Sequence, residues 1–321
     1  MTRPAATGRR SRLPQVATAG ELVAWAARRL ARARLHYGHG TDNPLDDAGA
    51  LVFHALGVGH EEAPRAYGWS VDARGIARAA NLVERRIRER LPSAYLTGRT
   101  WFAGHEIAVT PEVLVPRSPI AELCERRFAP WIDAGRVRNV LDIGTGSGCI
   151  AIACAHAFPG AQVDAADVSH AALEVATRNI RAHGLERRVR PVLSNVYRGL
   201  GQRRYDIIVS NPPYVSEAEM RALPSEYRRE PRLGLVAGRR GLDVVSRILA
   251  GAVRHLEPGG LLVVEVGDSE RAVQRAWPRV PFTWLGFERG GGGVFLLTEG
   301  QLRRCHRDLA DASRTGSAHV R

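Results

Sequence analysis

Apolar positions repeat with two different periods along this chain. Over residues 18–93 apolar side chains recur every three or four positions, as in Leu22, Ala26 and Leu30, which predicts amphipathic helices. Thr18 and Glu21 have the spacing of a capping box, so the first helix is predicted to begin there. We therefore expect a small helical domain over residues 18–93. Its second helix, after Asn43-Pro44, is expected to bury Leu45, Ala48, Leu51, Val52, Ala55 and Leu56.

From about residue 137 onward, short apolar runs alternate with helical stretches, which is typical of a parallel sheet covered on both faces. The last two apolar runs are joined by four glycines, residues 290–293, too few for a crossover helix, so these two strands must be antiparallel. The predicted fold class is α/β, a doubly wound, mostly parallel sheet with an antiparallel last strand. The predicted strands are 139–143, 161–168, 189–195, 205–210, 260–266, 282–287 and 293–297.

Between these regions, residues 94–118 contain short strand-like pieces and turn residues, which predicts a β-hairpin linker. Ser118 as a helix N-cap and Pro119 at the first helical position start the second domain, expected over residues 119–300. Residues 1–17 are rich in Arg, Pro and Gly without periodicity and are predicted to be a disordered tail. Residues 301–321 are polar and predicted to be a flexible tail.

The formal charge of +13 comes from 46 basic and 33 acidic residues, and every basic residue is an arginine. A basic surface suits a polyanion, so proximity to ribosomal RNA fits the composition. The arginines are spread along helices and in both tails, however, and solvated surface is the simpler interpretation. No run approaches the roughly 18 apolar residues that span a bilayer, so we expect a cytoplasmic protein without membrane contact.

The cysteines and histidines lack the spacing of metal ligands. The four cysteines form no C-x-x-C pair, and none of the eleven histidines falls into an H-E-x-x-H or comparable spacing. We therefore expect no metal site.

A glycine-rich turn follows the first predicted strand and runs directly into an apolar helix. Its spacing, G-x-G-x-G over residues 144–148, differs from the dinucleotide pattern and is weak by itself. The second strand, however, ends in Asp167, a carboxylate that can accept from both hydroxyls of a ribose, and Asn195 follows the third strand, next to the expected adenine position. Asp142 is placed beneath the loop near the amino end of the ligand, although an aspartate that only caps the turn is the alternative.

The fourth strand ends in Asn211-Pro212-Pro213-Tyr214, an NPPY motif. Proline has no N–H to donate, so this turn presents fixed carbonyl oxygens and one side-chain amide. A planar NH₂ group, such as a glutamine amide or a purine amine, can donate to the Asn211 side-chain oxygen and the Pro212 carbonyl, beside the ring of Tyr214. A Pro-Pro turn that merely ends a strand is equally compatible with these residues alone, and the glycine loop and Asp167 decide for a site.

Four further stretches are distinctive, and together with the glycine loop and the NPPY motif they resemble the class I S-adenosylmethionine-dependent methyltransferases. Over residues 18–302 the chain is similar to the glutamine-amide methyltransferases of the HemK group. Within that group it is most similar to the branch called PrmB, which methylates a glutamine of large-subunit ribosomal protein L-three. The four stretches are HYGHGTDN at 36–43, WFAG at 101–104, VPRSPI at 115–120 and LPSEYRREP at 223–231.

The resemblance implies S-adenosyl-L-methionine as cofactor and a ribosomal protein as partner. It assigns the methionine part of the cofactor to Gly144, Thr145, Gly146 and Gly148, the ribose to Asp167, the adenine to Asn195 and closure of the pocket to Phe102. It assigns the substrate amide to Asn211 and Pro212, followed by Pro213 and the packing ring of Tyr214. Two positions depart from the family pattern: Asn195 replaces a common aspartate, and Arg240, beside the expected substrate loop, replaces a frequent acidic residue.

Three other functions share these motifs. The sister branch that methylates peptide release factors generally lacks the 223–231 stretch. Nucleic-acid amine methyltransferases use a similar Asn-Pro-Pro-aromatic corner, but no nucleic-acid reading element is visible here. A ribosome-assembly factor that binds RNA and keeps the cofactor domain only as a scaffold would not need the complete set of glycines and Asp167.

Overall fold

The computed structural model describes residues 14–309, which divide between Thr97 and Gly98 into two compact units. The disorder predicted for residues 1–17 falls mainly outside the described residues. Within the described part, the Ala17 N–H donates to the Glu21 carboxylate over 2.7 Å. None of the described helices is long and apolar enough to cross a membrane.

The first unit is helical, as the sequence predicts. Helix α1 begins at the predicted capping box, in which the Thr18 hydroxyl accepts from the Glu21 N–H and the Glu21 carboxylate accepts from the Thr18 N–H. Asn43 caps α2 with its side-chain oxygen. The helices are α1 (Ala19–Arg32), α2 (Pro44–Leu56), α3 (Ala63–Ala66), α4 (Ala73–Glu89) and α5 (Ser93–Thr97).

The core of this unit lies between α1, α2 and α4 and holds the predicted apolar residues with one exception. Leu45 is 53% exposed, so the expectation that it is buried is wrong. The inward-facing position of that first turn belongs to Asp47, whose carboxylate pairs with the equally buried Arg86 at 2.8 Å. A polar pair therefore takes the place that the apolar pattern assigned to leucine.

The second unit opens with the predicted hairpin. Strands β1 (Arg99–Phe102) and β2 (His105–Ala108) pair antiparallel, with Phe102 opposite His105. The two turn residues, Ala103 and Gly104, have φ of 48° and 77°, and positive values at both positions give the turn a twist that matches the strands.

The main sheet has seven strands, and its order confirms the predicted fold class. In space the order is β5-β4-β3-β6-β7-β9-β8. The first five strands run parallel, while β9 is antiparallel to both β7 and β8. The strands are β3 (Asn139–Ile143), β4 (Gln162–Asp167), β5 (Val189–Leu193), β6 (Tyr205–Ser210), β7 (Leu256–Glu265), β8 (Thr283–Leu285) and β9 (Val294–Thr298).

Helices surround this sheet, and the crossover helices α7, α8 and α11 connect its parallel strands. The described helices of this unit are α6 (Ile120–Glu125), α7 (Cys149–Ala157), α8 (His170–Ala182), α9 (Glu217–Ala222), α10 (Arg232–Leu235), α11 (Asp243–His255), α12 (Glu270–Ala276) and α13 (Glu299–Arg304). Short 3₁₀ turns lie at Ala134–Arg136, Ser225–Arg229 and Gly267–Ser269.

The flexible tail predicted for residues 301–321 is wrong over its described part. Helix α13 continues through residue 304, and Leu302, Cys305 and Leu309 are buried in the core formed with β7, β9 and α11. These three residues recur at spacings of three and four, a helical period that the abundance of arginine around them hides. Residues 310–321 lie outside the described chain.

Candidate active site

A cavity of about 860 Å³ opens at the carboxyl edge of the main sheet, in the usual size range of small-molecule sites. The residues that follow β3, β4, β5 and β6 line it, because parallel strands bring their carboxyl ends to one edge. Residues 112–118 and 223–238 form further parts of its wall. The predicted residues brought together there are Gly144, Thr145, Gly146, Asp167, Asn195, Asn211, Pro212, Pro213 and Tyr214.

The glycine loop takes a backbone conformation that residues with side chains rarely adopt, because Gly144 and Gly146 both have positive φ. Gly144 has φ of +74°, and a Cβ there would lie 3.9 Å from the carbonyl oxygen of Asn211. The N–H groups of Gly144 and Thr145 both donate to the carbonyl of Ala166 on β4. The loop is thus hydrogen-bonded to β4 on one side of β3 and lies against Asn211, which follows β6 on the other side.

Asp142 lies beneath this loop, fully buried, and does not line the cavity itself. Its Oδ2 accepts from the Thr145 hydroxyl at 2.6 Å and from the Ala151 N–H at 3.1 Å. Oδ1 has no hydrogen-bond partner among the described residues. Burial raises the pKa of Asp142 to about 7, because the low-dielectric surroundings disfavour its charge. A cation at the loop would stabilise this carboxylate.

Asp167 ends β4 at the cavity wall. Its two oxygens accept from the N–H groups of Gly146 and Ser169, each at 2.9 Å, and burial raises its pKa. Each carboxylate oxygen keeps lone-pair capacity for a further donor. The carboxylate is therefore fixed in direction and still able to accept from two hydroxyls.

Asn195 lines the cavity, but its oxygen already has a partner. The guanidinium of Arg247, on α11, donates to Asn195 Oδ1 at 2.5 Å. The sequence placed Asn195 near an adenine with this oxygen as acceptor, and Arg247 leaves it one lone pair for that purpose. Arg247 itself was not predicted, since it is far along the chain and belongs to no motif.

The NPPY segment leaves β6 in a fixed position. The Ser210 hydroxyl donates to the Ile143 carbonyl at 2.7 Å, which joins the end of β6 to the end of β3. Tyr214 is held at its carbonyl by the Ser269 hydroxyl at 3.1 Å. Gly241 approaches the same carbonyl so closely that a Cβ there would lie 2.2 Å from it. The neighbouring Arg240, one of the two departures from the family pattern, is exposed and does not line the cavity.

Glu265, at the end of β7, lines the cavity and was missed by the sequence analysis. It accepts a short hydrogen bond from the Ser118 hydroxyl and a longer one, 3.4 Å, from the Tyr214 hydroxyl. Burial raises the pKa of Glu265 to about 7, opposed by hydrogen bonds that include one from the Asn211 side chain. An acidic residue directly after the apolar run Leu261–Val264 is the signal that would have found it.

An ion pair between Arg117 and Glu230 connects the VPRSPI stretch to the LPSEYRREP stretch. The Arg117 guanidinium donates to both oxygens of the buried Glu230 carboxylate, at 2.6 and 2.7 Å. Glu230 also accepts from the Val115 N–H at 3.0 Å, and the Tyr227 ring lies under Arg117 at 5.4 Å. The VPRSPI stretch thereby fixes the 223–231 segment as a wall of the cavity.

Besides Asp142, two predicted residues do not line the cavity. Phe102 is buried on β1 and is not among the cavity-lining residues, all of which fall between 112 and 268. Its pairing opposite His105 in the hairpin sets this position. Gly148 caps α7 behind the loop, where a Cβ would lie 3.2 Å from Ala176 Cβ.

This combination defines a class of protein. The second unit is a class I methyltransferase. Its seven-stranded sheet has the strand order given above with an antiparallel β9, a glycine loop follows the central β3, and an acidic residue ends β4. The methyltransferase small domain family matches residues 126–224.

Comparison with curated proteins identifies the family more closely. The chain is 45% identical to the ribosomal protein uL3 glutamine methyltransferase of Bordetella pertussis, covering 90% of this chain and 97% of that protein. It is 46% identical to the protein of that name in Xylella fastidiosa strain 9a5c, over 90% and 93% of the two chains. A solved methyltransferase from Pyrococcus furiosus is 22% identical over 68% of this chain and 94% of its own, with a TM-score of 0.43. The chain belongs to the ribosomal protein uL3 glutamine methyltransferase family, which confirms the resemblance inferred from its motifs.

Proposed function

We propose that this protein transfers the methyl group of S-adenosylmethionine to the side-chain amide nitrogen of a glutamine in ribosomal protein uL3. One observation carries the proposal: Asn211, with its row of acceptors, lies directly against Gly144 of the glycine loop inside one cavity. The names of the relatives support both the reaction and the substrate.

The residues of the cavity fit this cofactor. The amino acid part would lie along Gly144 and Gly146, where its ammonium places positive charge near the unpartnered oxygen of buried Asp142. The ribose hydroxyls would donate to Asp167, and the adenine amine to the remaining lone pair of Asn195. When bound, S-adenosylmethionine supplies a methyl group on a positively charged sulfur, which makes that carbon electrophilic.

The substrate amide needs positioning more than it needs a base. An amide nitrogen is a weak nucleophile because its lone pair is delocalised into the carbonyl. The Asn211 side-chain oxygen and the Pro212 carbonyl accept its two hydrogens and thereby fix the direction of the nitrogen. Orientation of this kind lowers a barrier by several kcal/mol.

Glu265 determines which way the Asn211 amide points. The hydrogen bond with the Asn211 side chain lowers the pKa of Glu265, so the carboxyl accepts this bond and the amide NH₂ faces Glu265. The amide oxygen is then left for the substrate. Ser118 and Tyr214 hold Glu265 from the other sides, which makes Glu265 a positioning residue for the reaction.

The test measures transfer of labelled methyl to purified uL3, a peptide release factor and protein-free ribosomal RNA in parallel. We expect label on a glutamine of uL3, and at least about 100-fold slower transfer by Asn211→Ala with cofactor affinity changed by less than about threefold. Asn139→Ala is the matched control, since Asn139 is exposed at the start of β3. Label on the release factor or on RNA would contradict the proposed substrate, and absence of label anywhere would contradict the proposed reaction.

A further inference from the structure

Three histidines from separate parts of the chain meet on the second unit. His105 begins β2, His156 lies in the last turn of α7, and His183 is the C-cap of α8. The rings of His105 and His156 stack at a centroid distance of 4.2 Å, and His183 stands edge-on to both at 5.8 and 5.5 Å. One nitrogen from each ring lies within 4.8 Å of the other two.

This histidine cluster is separate from the methyltransferase cavity. Helices α7 and α8 begin at the carboxyl edge of the sheet, beside the glycine loop and Asp167, and end at the opposite edge. His156 and His183 are at those far ends, and no member of the cluster lines the cavity. The reaction proposed above does not use these side chains.

A backbone contact leaves His183 with a nitrogen suited to metal binding. Its Nε2 lies 2.8 Å from the carbonyl oxygen of Glu106. A carbonyl oxygen only accepts, so Nε2 carries the proton and Nδ1 keeps its lone pair. Histidine ligands of metals commonly donate their other N–H to a carbonyl in this way, which fixes the tautomer and the ring direction.

Hydrogen bonds from one side chain connect the elements that carry the three rings. The buried Asn179 side chain accepts from the Ala108 N–H and donates to the Ala108 carbonyl and the Ser147 carbonyl, over 2.8–2.9 Å. These bonds fix the end of β2 to α8 and to the start of α7. The carboxyl ends of α7 and α8 also carry partial negative charge, which favours a cation near His156 and His183.

We propose that His105, His156 and His183 bind a divalent transition-metal ion, with zinc as the best match, and that this ion fastens the hairpin to the ends of α7 and α8. Three imidazoles with one open position for water form an established ligand set for zinc. Tetrahedral ligation with Zn–N bonds of about 2.0–2.1 Å needs nitrogens about 3.4 Å apart. The nitrogens lie within 4.8 Å of one another, so binding requires the rings to turn, and His156 is the exposed ring among the three.

Spacing along the sequence could not reveal this site. The absence of a metal site was predicted from local motifs, in which ligands lie a few residues apart on one element. Here the intervals are 51 and 27 residues, and only the packing of β2, α7 and α8 brings the rings together. The proposal would replace that prediction.

The test is a zinc titration of the chelator-treated full-length protein by calorimetry. We expect one zinc ion per chain, an affinity at least about 10-fold weaker in His156→Ala, and a zinc-dependent rise in melting temperature that the variant lacks. Cobalt in place of zinc should give the visible absorption of a four-coordinate site in the wild type alone. His306→Ala is the matched control, because His306 is exposed on the C-terminal segment.

The variants distinguish zinc bound by the three clustered histidines from zinc bound by any exposed histidine. His156 is exposed, so its replacement should leave the circular dichroism spectrum unchanged, and His105→Ala provides a second ligand deletion. Absence of saturable zinc binding would overturn the proposal. Equal weakening in His306→Ala, or full binding by both ligand deletions, would overturn it as well.

Discussion

At the scale of single residues, two buried carboxyl groups dominate the site. Burial raises the pKa of both Asp142 and Glu265 to about 7. In the unfolded chain these groups ionise near their ordinary values, so the folded state holds more protons between about pH 4 and about pH 7. The free energy of unfolding is therefore highest below this window and falls as the pH rises through it.

Asp142→Asn tests this linkage. The amide keeps an oxygen for Thr145 and Ala151 but cannot ionise, so the fall in the free energy of unfolding between about pH 4 and about pH 7 should be smaller, by up to about 1.4 kcal/mol per pH unit. Cofactor affinity should drop about 10-fold, because the charge near the ammonium is lost. Urea titrations across the pH range measure the first effect and calorimetry with S-adenosylhomocysteine the second. An unchanged pH slope would show that Asp142 does not titrate in this window.

Glu265→Gln tests the orientation of Asn211. A glutamine offers one acceptor where the carboxylate offers two, so the Asn211 amide loses part of what directs it. We expect the single-turnover rate to fall about 10-fold or more, with cofactor affinity within about threefold of the wild type. Glu257→Gln, at the opposite end of β7, is the control. A loss confined to cofactor affinity would contradict a positioning role.

At the scale of elements, one side chain joins the hairpin to the main domain. Asn179, on α8, makes three hydrogen bonds to the backbone of Ala108 and Ser147 and is buried. The bond to the Ser147 carbonyl is buried and the two to Ala108 are partly buried, and a buried group left unpaired costs about 1–3 kcal/mol.

Asn179→Ala should lower the free energy of unfolding by about 3 kcal/mol, since it leaves three backbone groups without this partner. Chemical denaturation measures the change. Asn139→Ala removes an exposed amide instead and should stay within about 0.5 kcal/mol of the wild type. Similar small effects of both substitutions would mean that water replaces the lost bonds and that the hairpin is held by other contacts.

At the scale of the whole molecule, the cavity and the buried ion pair belong to different units. The residues that line the cavity all belong to the second unit. The first unit contains a buried ion pair: Arg86 donates to Asp47 at 2.8 Å and to the His36 carbonyl at 2.9 Å. Thr41 also donates to Asp47, at 2.6 Å. The HYGHGTDN stretch, residues 36–43, therefore has a structural role in the first unit.

Asp47→Asn should destabilise the first unit without weakening the cofactor site. Removing one charge of a buried pair takes the Asp47 carboxylate away from the Arg86 guanidinium, which typically costs about 3–5 kcal/mol. We expect a lower melting transition by calorimetry and, well below that transition, cofactor affinity within about twofold of the wild type. Asp42→Asn, at an exposed position, should change neither. A parallel loss of cofactor affinity would show that the first unit contributes to the site.

Local physics made much of this protein predictable from its sequence. The 3.6-residue period and the capping box at Thr18 predicted the first helix, and the apolar runs alternating with helical stretches predicted a mostly parallel sheet. Prolines without N–H groups and glycines with positive φ marked the ends of β6 and β3, and parallel strands must bring those ends to one edge. The fold class and most of the cofactor edge follow from such short-range rules.

Only the tertiary structure decided which distant side chains meet. Glu265 lies beside Asn211 and Ser118, Arg247 occupies an oxygen of Asn195, and the hairpin keeps Phe102 away from the cavity lining. The same is true of the packing of α13 and of the histidine cluster. The Ser118–Glu265 and Asn195–Arg247 contacts join residues 147 and 52 positions apart. A period or motif records the environment of its own element but not which face of another element will cover it.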